Sequence, residues 1–260
     1  MDTLAKALIS RASGQSKLRG DDVVICEVDL AMIHDSGGPR RVKPILDRLQ
    51  RQVWDKDKIV VVTDHYVPAD NAETQAIQAL TKQWVQDQSI DKFYDEQGIC
   101  HVVLPERGHL GPGLFCVGGG SHSPTGGAFG ASMFGIGATE MAGVLATGEI
   151  WIKVPETILM SWRNQLSAYV TAKDMMLAMC RKIGMGGGRY QAIQYAGQTI
   201  QALSMQERMT LSNMAAELGA QAGLIAPDEA TVAFVQAAGG TVPANWRDFQ
   251  IEAAESAENV

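Results

Sequence analysis

Lys58-Ile59-Val60-Val61-Val62-Thr63, followed at once by Asp64-His65, is the stretch that decides the fold class. Five consecutive β-branched residues favour an extended chain, and so short an apolar run ending in polar residues reads as a buried strand that stops at a functional loop. Residues 23–28 have the same character, and a third strand is expected at 101–104. Between the first two runs lies a stretch of helical composition and spacing, 42–52, and a second, 72–91, follows with Asn71 or Asp70 available as its amino-terminal cap. Strands alternating with helices predict an α/β layered fold with a sheet flanked by helices.

Further along, glycine is dense from 111 to 148, and Gly118-Gly119-Gly120 runs directly into Ser121-His122. Such a run permits close backbone approach and predicts a tight loop. The small-residue stretch 128–146 is expected to form a closely packed helix pair. A second glycine loop, 184–188, is expected to separate a helix at 172–183, started by Thr171-Ala-Lys-Asp174, from another beginning near Tyr190. Residues 206–222 read as helical, and 246–260 read as an acidic polar tail. The expected organisation is one α/β unit over 1–245, with two lobes meeting near residue 150.

The 260 residues are 46% apolar and 20% charged, which is enough for one large or two modest cores. A formal net charge of −7, with no cluster of Lys and Arg, argues against a nucleic-acid partner while leaving an anionic small substrate open. The first 17 residues read as an amphipathic helix rather than a signal peptide, because Lys6, Arg11 and Lys17 interrupt the apolar positions. No apolar run of about 18 residues predicts a membrane span. The four cysteines, Cys26, Cys100, Cys116 and Cys180, are too widely spaced for a metal clip or a small disulfide scaffold, and each alone reads as buried packing. A cytoplasmic location is the expectation.

Four of the five histidines follow strand-like or glycine-loop segments: His34 beside Asp35, His65 beside Asp64, His101, and His122 beside Ser121. Loops at one edge of an α/β sheet converge on one crevice, so this clustering points to an active site, although each histidine alone also fits a structural hydrogen-bonding role. Asn213 and Glu217 are four residues apart and would share one face of a helix, active or merely solvated. Gly118 to Gly120 could cradle an anion, but no lysine follows at P-loop spacing. Ser121 and His122 are adjacent and would not face one another as nucleophile and base.

Taken in order, these segments resemble the large subunit of isopropylmalate dehydratase and its relatives homoaconitase and aconitase. The resemblance is carried by Val28-Asp-Leu-Ala-Met-Ile-His34-Asp35, Thr63-Asp64-His65-Tyr-Val-Pro68, Gly98-Ile-Cys-His101, Ser121-His122, Phe134-Gly-Ile-Gly137-Ala-Thr139, Lys153-Val-Pro-Glu156, Arg208-Met-Thr-Leu-Ser-Asn-Met214 and Glu217-Leu-Gly-Ala220. The matching pieces run in order from Val28 to Ala220. The resemblance implies a hydro-lyase scaffold of aconitase-type α/β/α layers with a mixed sheet. Its reaction would remove and re-add water on a small hydroxy di- or tricarboxylate, with a [4Fe-4S] cluster acting as Lewis acid. Carried over by position, Asp64, His65, His101, Ser121, His122 and Glu217 are the catalytic candidates, with His34 and Asn213 contacting substrate.

Three departures touch the chemistry. The resemblance puts the cluster cysteines outside these 260 residues, and the four cysteines present do not match them. Position 120 is Gly where the family has Asp, and position 126 is Gly where His is usual. The first expectation is therefore one chain of a split dehydratase, with a second subunit carrying the missing domains and the cluster ligands. A second is a cluster-free enzyme in which His65, His101 and His122 hold one Zn²⁺ or Fe²⁺. A third is a non-catalytic remnant that binds a partner or an anionic metabolite.

Overall fold

The structure is a computed structural model, and it describes residues 3–251 and 258–259. A five-stranded parallel sheet forms the first half, in the spatial order Phe93–Asp95, Ile59–Thr63, Leu30–His34, Phe115–Gly118, Ser132–Gly135. The chain fills one side of the sheet from the centre outward and then the other. The direction of winding therefore reverses between Leu30–His34 and Phe115–Gly118, and the crevice beyond the carboxyl ends of those two strands is where α/β sheets bind ligands. A second parallel sheet contains Thr157–Ser161, Ala192–Ala196 and Ala222–Ile225, with the two-residue strand Glu258–Asn259 beside the first of these. Among the described residues, antiparallel pairing is confined to a separate ribbon of Val23–Glu27 and Glu149–Lys153.

Alternation along the strands produces the layering. Ala31, Ile33, Ile59 and Val61 enter one core with Val42, Leu46 and Met141, while Leu30, Met32, Val60 and Val62 enter another with Val103, Leu104 and Phe129. Both faces of the sheet are thus apolar, as a parallel sheet covered by helices requires. The amino-terminal helix Leu4–Ser13 joins the halves. Its Leu4 and Leu8 pack on Ala192, Ala222, Leu224 and Phe249 of the second half, while Ile9 and Ala12 reach the first core. The Leu4 N–H donates to Gln194 Oε1 at 3.2 Å. The 3₁₀ helix Ser123–Phe129 also crosses between halves, where a Cβ on Gly127 would stand 1.9 Å from the Gly223 carbonyl oxygen.

Several sequence expectations hold. Helices cover Pro39–Leu49, Ala72–Asp87 with Asn71 as the cap, and Ala172–Ile183 with the expected Thr171/Asp174 box. No helix among the described residues is long and apolar enough to cross a membrane. Others are corrected. Residues 101–104 belong to the helix Cys100–Glu106, because Cys100, Val103 and Leu104 bury at helical spacing, which a four-residue window conceals. The strand that delivers His34 is Leu30–His34, whereas 23–27 lies in the ribbon. The expected helix pair at 128–146 is instead the end of the 3₁₀ helix, the strand Ser132–Gly135 and one helix, Ala138–Thr147, since Gly130 at φ 69° ends the first turn. Tyr190 leads into the strand Ala192–Ala196 rather than a helix. The helix Met205–Asn213 stops before Glu217, which sits in a succession of tight turns ahead of the strand Ala222–Ile225. The polar tail begins later than 246, because Trp246 and Phe249 are buried and the Ile251 carbonyl accepts from Gln194 Nε2 at 2.7 Å; residues 252–257 and 260 lie outside the described residues.

Candidate active site

His34 is the last residue of its strand, and the buried Asp35 follows it at the reversal point of the sheet. The Asp35 carboxylate accepts from the His65 N–H at 3.1 Å and the Tyr66 N–H at 3.0 Å, which ties the loop after Ile59–Thr63 to the end of the neighbouring strand. Asp64 does the same toward the next element. Its Oδ2 accepts from the Cys100 N–H at 2.7 Å, at the start of the helix that carries His101, and its Oδ1 lies 2.6 Å from His65 Nδ1. Two carboxylates thus fix three loop ends, and Asp64 also sets which nitrogen of His65 faces outward.

The imidazoles form an arc. The His65 ring stacks on His34 with centroids 4.0 Å apart and planes 15° from parallel. A Cβ on Gly120 would lie 3.3 Å from both His34 Nε2 and His101 Nε2. His101 meets His122 at 6.3 Å between centroids, and His122 Nε2 is 4.0 Å from Glu217 Oε1. Asn213 Nδ2 donates to Thr125 Oγ1 at 2.9 Å, and that hydroxyl donates to the His122 carbonyl at 2.7 Å, so Asn213 braces the His122 loop. An open cleft of about 680 Å³ is lined by His101, His122, Thr125, Asn213, Glu217 and Lys173, with Ile99, Met209 and Phe234 on its apolar side.

The structure therefore brings His34, Asp64, His65, His101, His122, Asn213 and Glu217 to one region from separate segments. Ser121 lines a neighbouring cavity of about 400 Å³ with Gly119, Gly120 and Tyr190 and is absent from the lining of the larger cleft. Sequence reasoning gave Asp35 no role of its own, and it missed Thr125 and Lys173 entirely. Asp35 was legible as a carboxylate at a strand end, whereas nothing local marks the other two.

Burial holds the His34 imidazole below its ordinary range, reinforced by His65, while Asp64, Asp35 and the Gly119 carbonyl pull weakly the other way. His101 is pushed down to about 4 by burial first and then by His122 and His34. It is neutral near pH 7 and a weak base there. Burial alone would raise the Asp64 carboxyl, but the Cys100 N–H and His65 outweigh it and keep the group ionised. Among buried atoms, His34 Nε2, His122 Nδ1 and Glu217 Oε2 make no hydrogen bond within the protein. Orphaned polar atoms are costly to bury, and three bordering one region are what a polar ligand would satisfy.

These shifts carry a stability consequence. His101, and His109 beside Tyr94, are both held at about 4 against an ordinary 6.5, so the unfolded chain binds more protons between those values. The unfolding free energy is expected to fall as the pH is lowered from about 6.5 to about 4. His109→Gln should make that fall shallower, as denaturant titrations at several pH values would show; an unchanged slope counts against the assignment.

His34, Asp35, Asp64 and His65 place one ligand-type atom each within 4.8 Å of the others, and His101 and His122 fall outside that group. The group fits a metal poorly. Both carboxylates already accept two hydrogen bonds each, and imidazoles donate in the plane of the ring, so two rings stacked nearly parallel do not converge on an ion about 2.1 Å away. The cysteines fit an iron–sulfur cluster no better. Cys26, Cys100 and Cys116 are buried thiols whose pKa burial pushes up, and Cys180 sits beside the second core, so the four do not meet.

Residues 6–259 match the aconitase family (aconitate hydratase). The chain is 44% identical over 240 residues to the 3-isopropylmalate dehydratase large subunit 1 of Methanopyrus kandleri, covering 92% of this chain and 57% of that protein. It is 41% identical over 251 residues to the probable 3-isopropylmalate dehydratase large subunit of Methanothermobacter thermautotrophicus, at 96% and 59% coverage. With the methanogen homoaconitase large subunit of Methanocaldococcus jannaschii it shares 41% over 235 residues, at 90% and 55%. The chain thus spans a little over half the length of the curated relatives it matches.

Proposed function

The chain belongs to the aconitase family, and from that premise we propose that it forms the proton-handling wall of a hydro-lyase that removes and re-adds water on a small hydroxy di- or tricarboxylate. The observation that carries the reading is the convergence of four histidines with Asp64 and Glu217 at the winding reversal of the sheet, with polar atoms of His34, His122 and Glu217 left unpaired.

Dehydration needs a base for the proton on carbon and an acid for the departing hydroxyl. His101, neutral near pH 7 and a weak base, is suited to orient the reacting groups by hydrogen bonding rather than to take the proton itself. His65, oriented through Nδ1 by Asp64, presents its other nitrogen outward, and His122 with Glu217 forms a second proton-carrying pair across the cleft. Asn213 positions His122 through Thr125, and Lys173 offers a cation at the rim for a substrate carboxylate. None of the four cysteines supplies the family's cluster. On this proposal its ligands come from polypeptide outside these 260 residues, in the same protein or in a partner subunit.

The test is turnover of hydroxy di- and tricarboxylates by the protein isolated anaerobically with the products of neighbouring genes, followed by the absorbance of the unsaturated product. His122→Ala is expected to lower kcat by roughly 10²–10⁴-fold, the usual contribution of a positioned acid or base. A stable protein that recruits no partner and turns over no hydroxy acid would sink the proposal and favour the binding remnant. Metal analysis separates out the cluster-free reading, which requires about one Zn²⁺ or Fe²⁺ per chain and its loss in His65→Ala.

A further inference from the structure

The antiparallel ribbon of Val23–Glu27 and Glu149–Lys153 buries one face and leaves the other bare. Both strands alternate strictly: Val24, Cys26, Ile150 and Ile152 enter the first core, and the residues between them point to solvent. The register sets the outward residues directly opposite one another, Val23 with Lys153, Ile25 with Trp151 and Glu27 with Glu149. A sheet with one solvated face ordinarily carries polar residues there. Here Val23, Ile25 and Trp151 are 66%, 60% and 69% exposed, an apolar patch with an ammonium at one end and two carboxylates at the other. Like charges directly opposite across a strand pair are destabilising, and among the described residues neither Glu27 nor Glu149 has an ionic partner. Lys153 meets Asp21 at 2.8 Å, but the two side chains are 63% and 75% exposed and such a surface pair contributes little.

We propose that this face docks a second copy of the chain, the two ribbons stacking face to face about a two-fold axis. The sequence of groups along the face, ammonium, apolar centre, carboxylates, is its own complement. An axis lying between the faces and perpendicular to the strands lays one ribbon reversed over the other. That arrangement sets the two Ile25/Trp151 pairs against each other and each Lys153 over Glu149 of the other copy. Both glutamate pairs then meet a cation, and the aromatic centre leaves water. Tyr190, 64% exposed, borders the same cavity of about 440 Å³ as Trp151 and Lys153 and enlarges the apolar area. The ribbon packs into the core on one side of the five-stranded sheet, whereas the helix Cys100–Glu106, which carries His101 to the cleft, packs into the core on the other. A polypeptide that brings cluster ligands to the cleft therefore approaches from the opposite side, and self-association does not depend on the hydro-lyase reading.

The six outward side chains are few beside the roughly 20–30 residues a side of a standard interface, so a weak, reversible dimer in the micromolar range is expected. Sedimentation velocity of the intact protein over a concentration series measures it. Trp151→Ser should weaken association roughly tenfold or more, as removal of a central aromatic anchor does. Lys153→Glu sets like charges against one another and should weaken it as well, and adding Glu149→Lys to that variant should restore much of the loss. All three positions face solvent, and circular dichroism verifies that each variant is folded. A parent that stays monomeric throughout the series, or a dimer indifferent to Trp151→Ser, would overturn the proposal. A double variant that recovers nothing would overturn the reversed stacking. A complex with the product of a neighbouring gene that Trp151→Ser abolishes, formed by a chain that does not self-associate, would assign the face to that protein instead.

Discussion

Replacing Arg208 with methionine is expected to lower the unfolding free energy by about 2–4 kcal/mol, between the cost of stranding hydrogen-bond acceptors and that of breaking a fully buried ion pair, because Asp228 keeps 26% of its side-chain surface exposed. Arg208 is 1% exposed. Its guanidinium donates to Asp228 Oδ2 at 2.6 Å, to the Gln201 carbonyl at 2.9 Å and to the Leu203 carbonyl at 3.2 Å. Methionine fills much of the volume but satisfies none of these acceptors, so the loss comes from stranded polar groups rather than from a cavity. Asp228 in turn accepts from the Thr231 N–H at 3.0 Å as the cap of the helix Glu229–Ala237, so that helix start should loosen too. Burial alone would raise the Asp228 carboxyl, yet Arg208 and the Thr231 N–H hold it down, so the pair's contribution is present above the ordinary carboxylate range and lost as the pH falls through the depressed value. Urea titration should show a lower midpoint at an unchanged slope. Arg208→Lys, which keeps the charge and loses the planar fork, should fall between. A loss below about 1 kcal/mol in the methionine variant, the range of a surface pair, would contradict this account.

The second large effect is expected from Asp64→Asn, which should reduce kcat by roughly 10²–10⁴-fold, with KM changing far less. Asp64 uses one oxygen for the Cys100 N–H and the other for His65 Nδ1. An asparagine cannot accept at both places. If its oxygen keeps Cys100, its amide donates toward His65 Nδ1 and forces the proton to the other ring nitrogen; if it keeps His65, two donors meet at Cys100. Either way the His65 ring carries the wrong proton or the His101 helix start shifts. Single-turnover kinetics alongside thermal melts separate the two, and a kcat within tenfold of the parent in a folded protein would remove Asp64 from the proton-handling wall.

Much of this was legible in the sequence because the signals were local. The run Ile59–Thr63 is β-branched throughout, and the caps at Asn71 and Thr171 lie within three residues of the N–H groups and side chains they engage. One recurrent cause of failure is that short apolar windows do not distinguish periods. Cys100, Val103 and Leu104 fit a helix only when the buried cysteine is counted, and Glu217 shares a cleft with Asn213 although the helix between them ends. Of the site, the histidines could be named but not ordered. That His34 stacks on His65 while His101 turns to His122 follows from Asp35 and Asp64 reaching across loops 30 to 36 residues away, which no local pattern records. Arg208 went unmarked as a buried group because its partner and acceptors come together only once the helix is packed.

The helix Leu4–Ser13 sets a constraint on how the molecule is made. It leaves the ribosome ahead of the surfaces that receive Leu4 and Leu8, and ahead of the Gln194 side chain that caps the Leu4 N–H, by about 190 residues or more. During translation that apolar stripe has nowhere to go, so its protection in the meantime falls to chaperones or to transient contacts with the nascent first half. Truncating Leu4 and Leu8 to alanine would therefore weaken the region around Ala192, Ala222, Leu224 and Phe249, far along the chain from the substitutions.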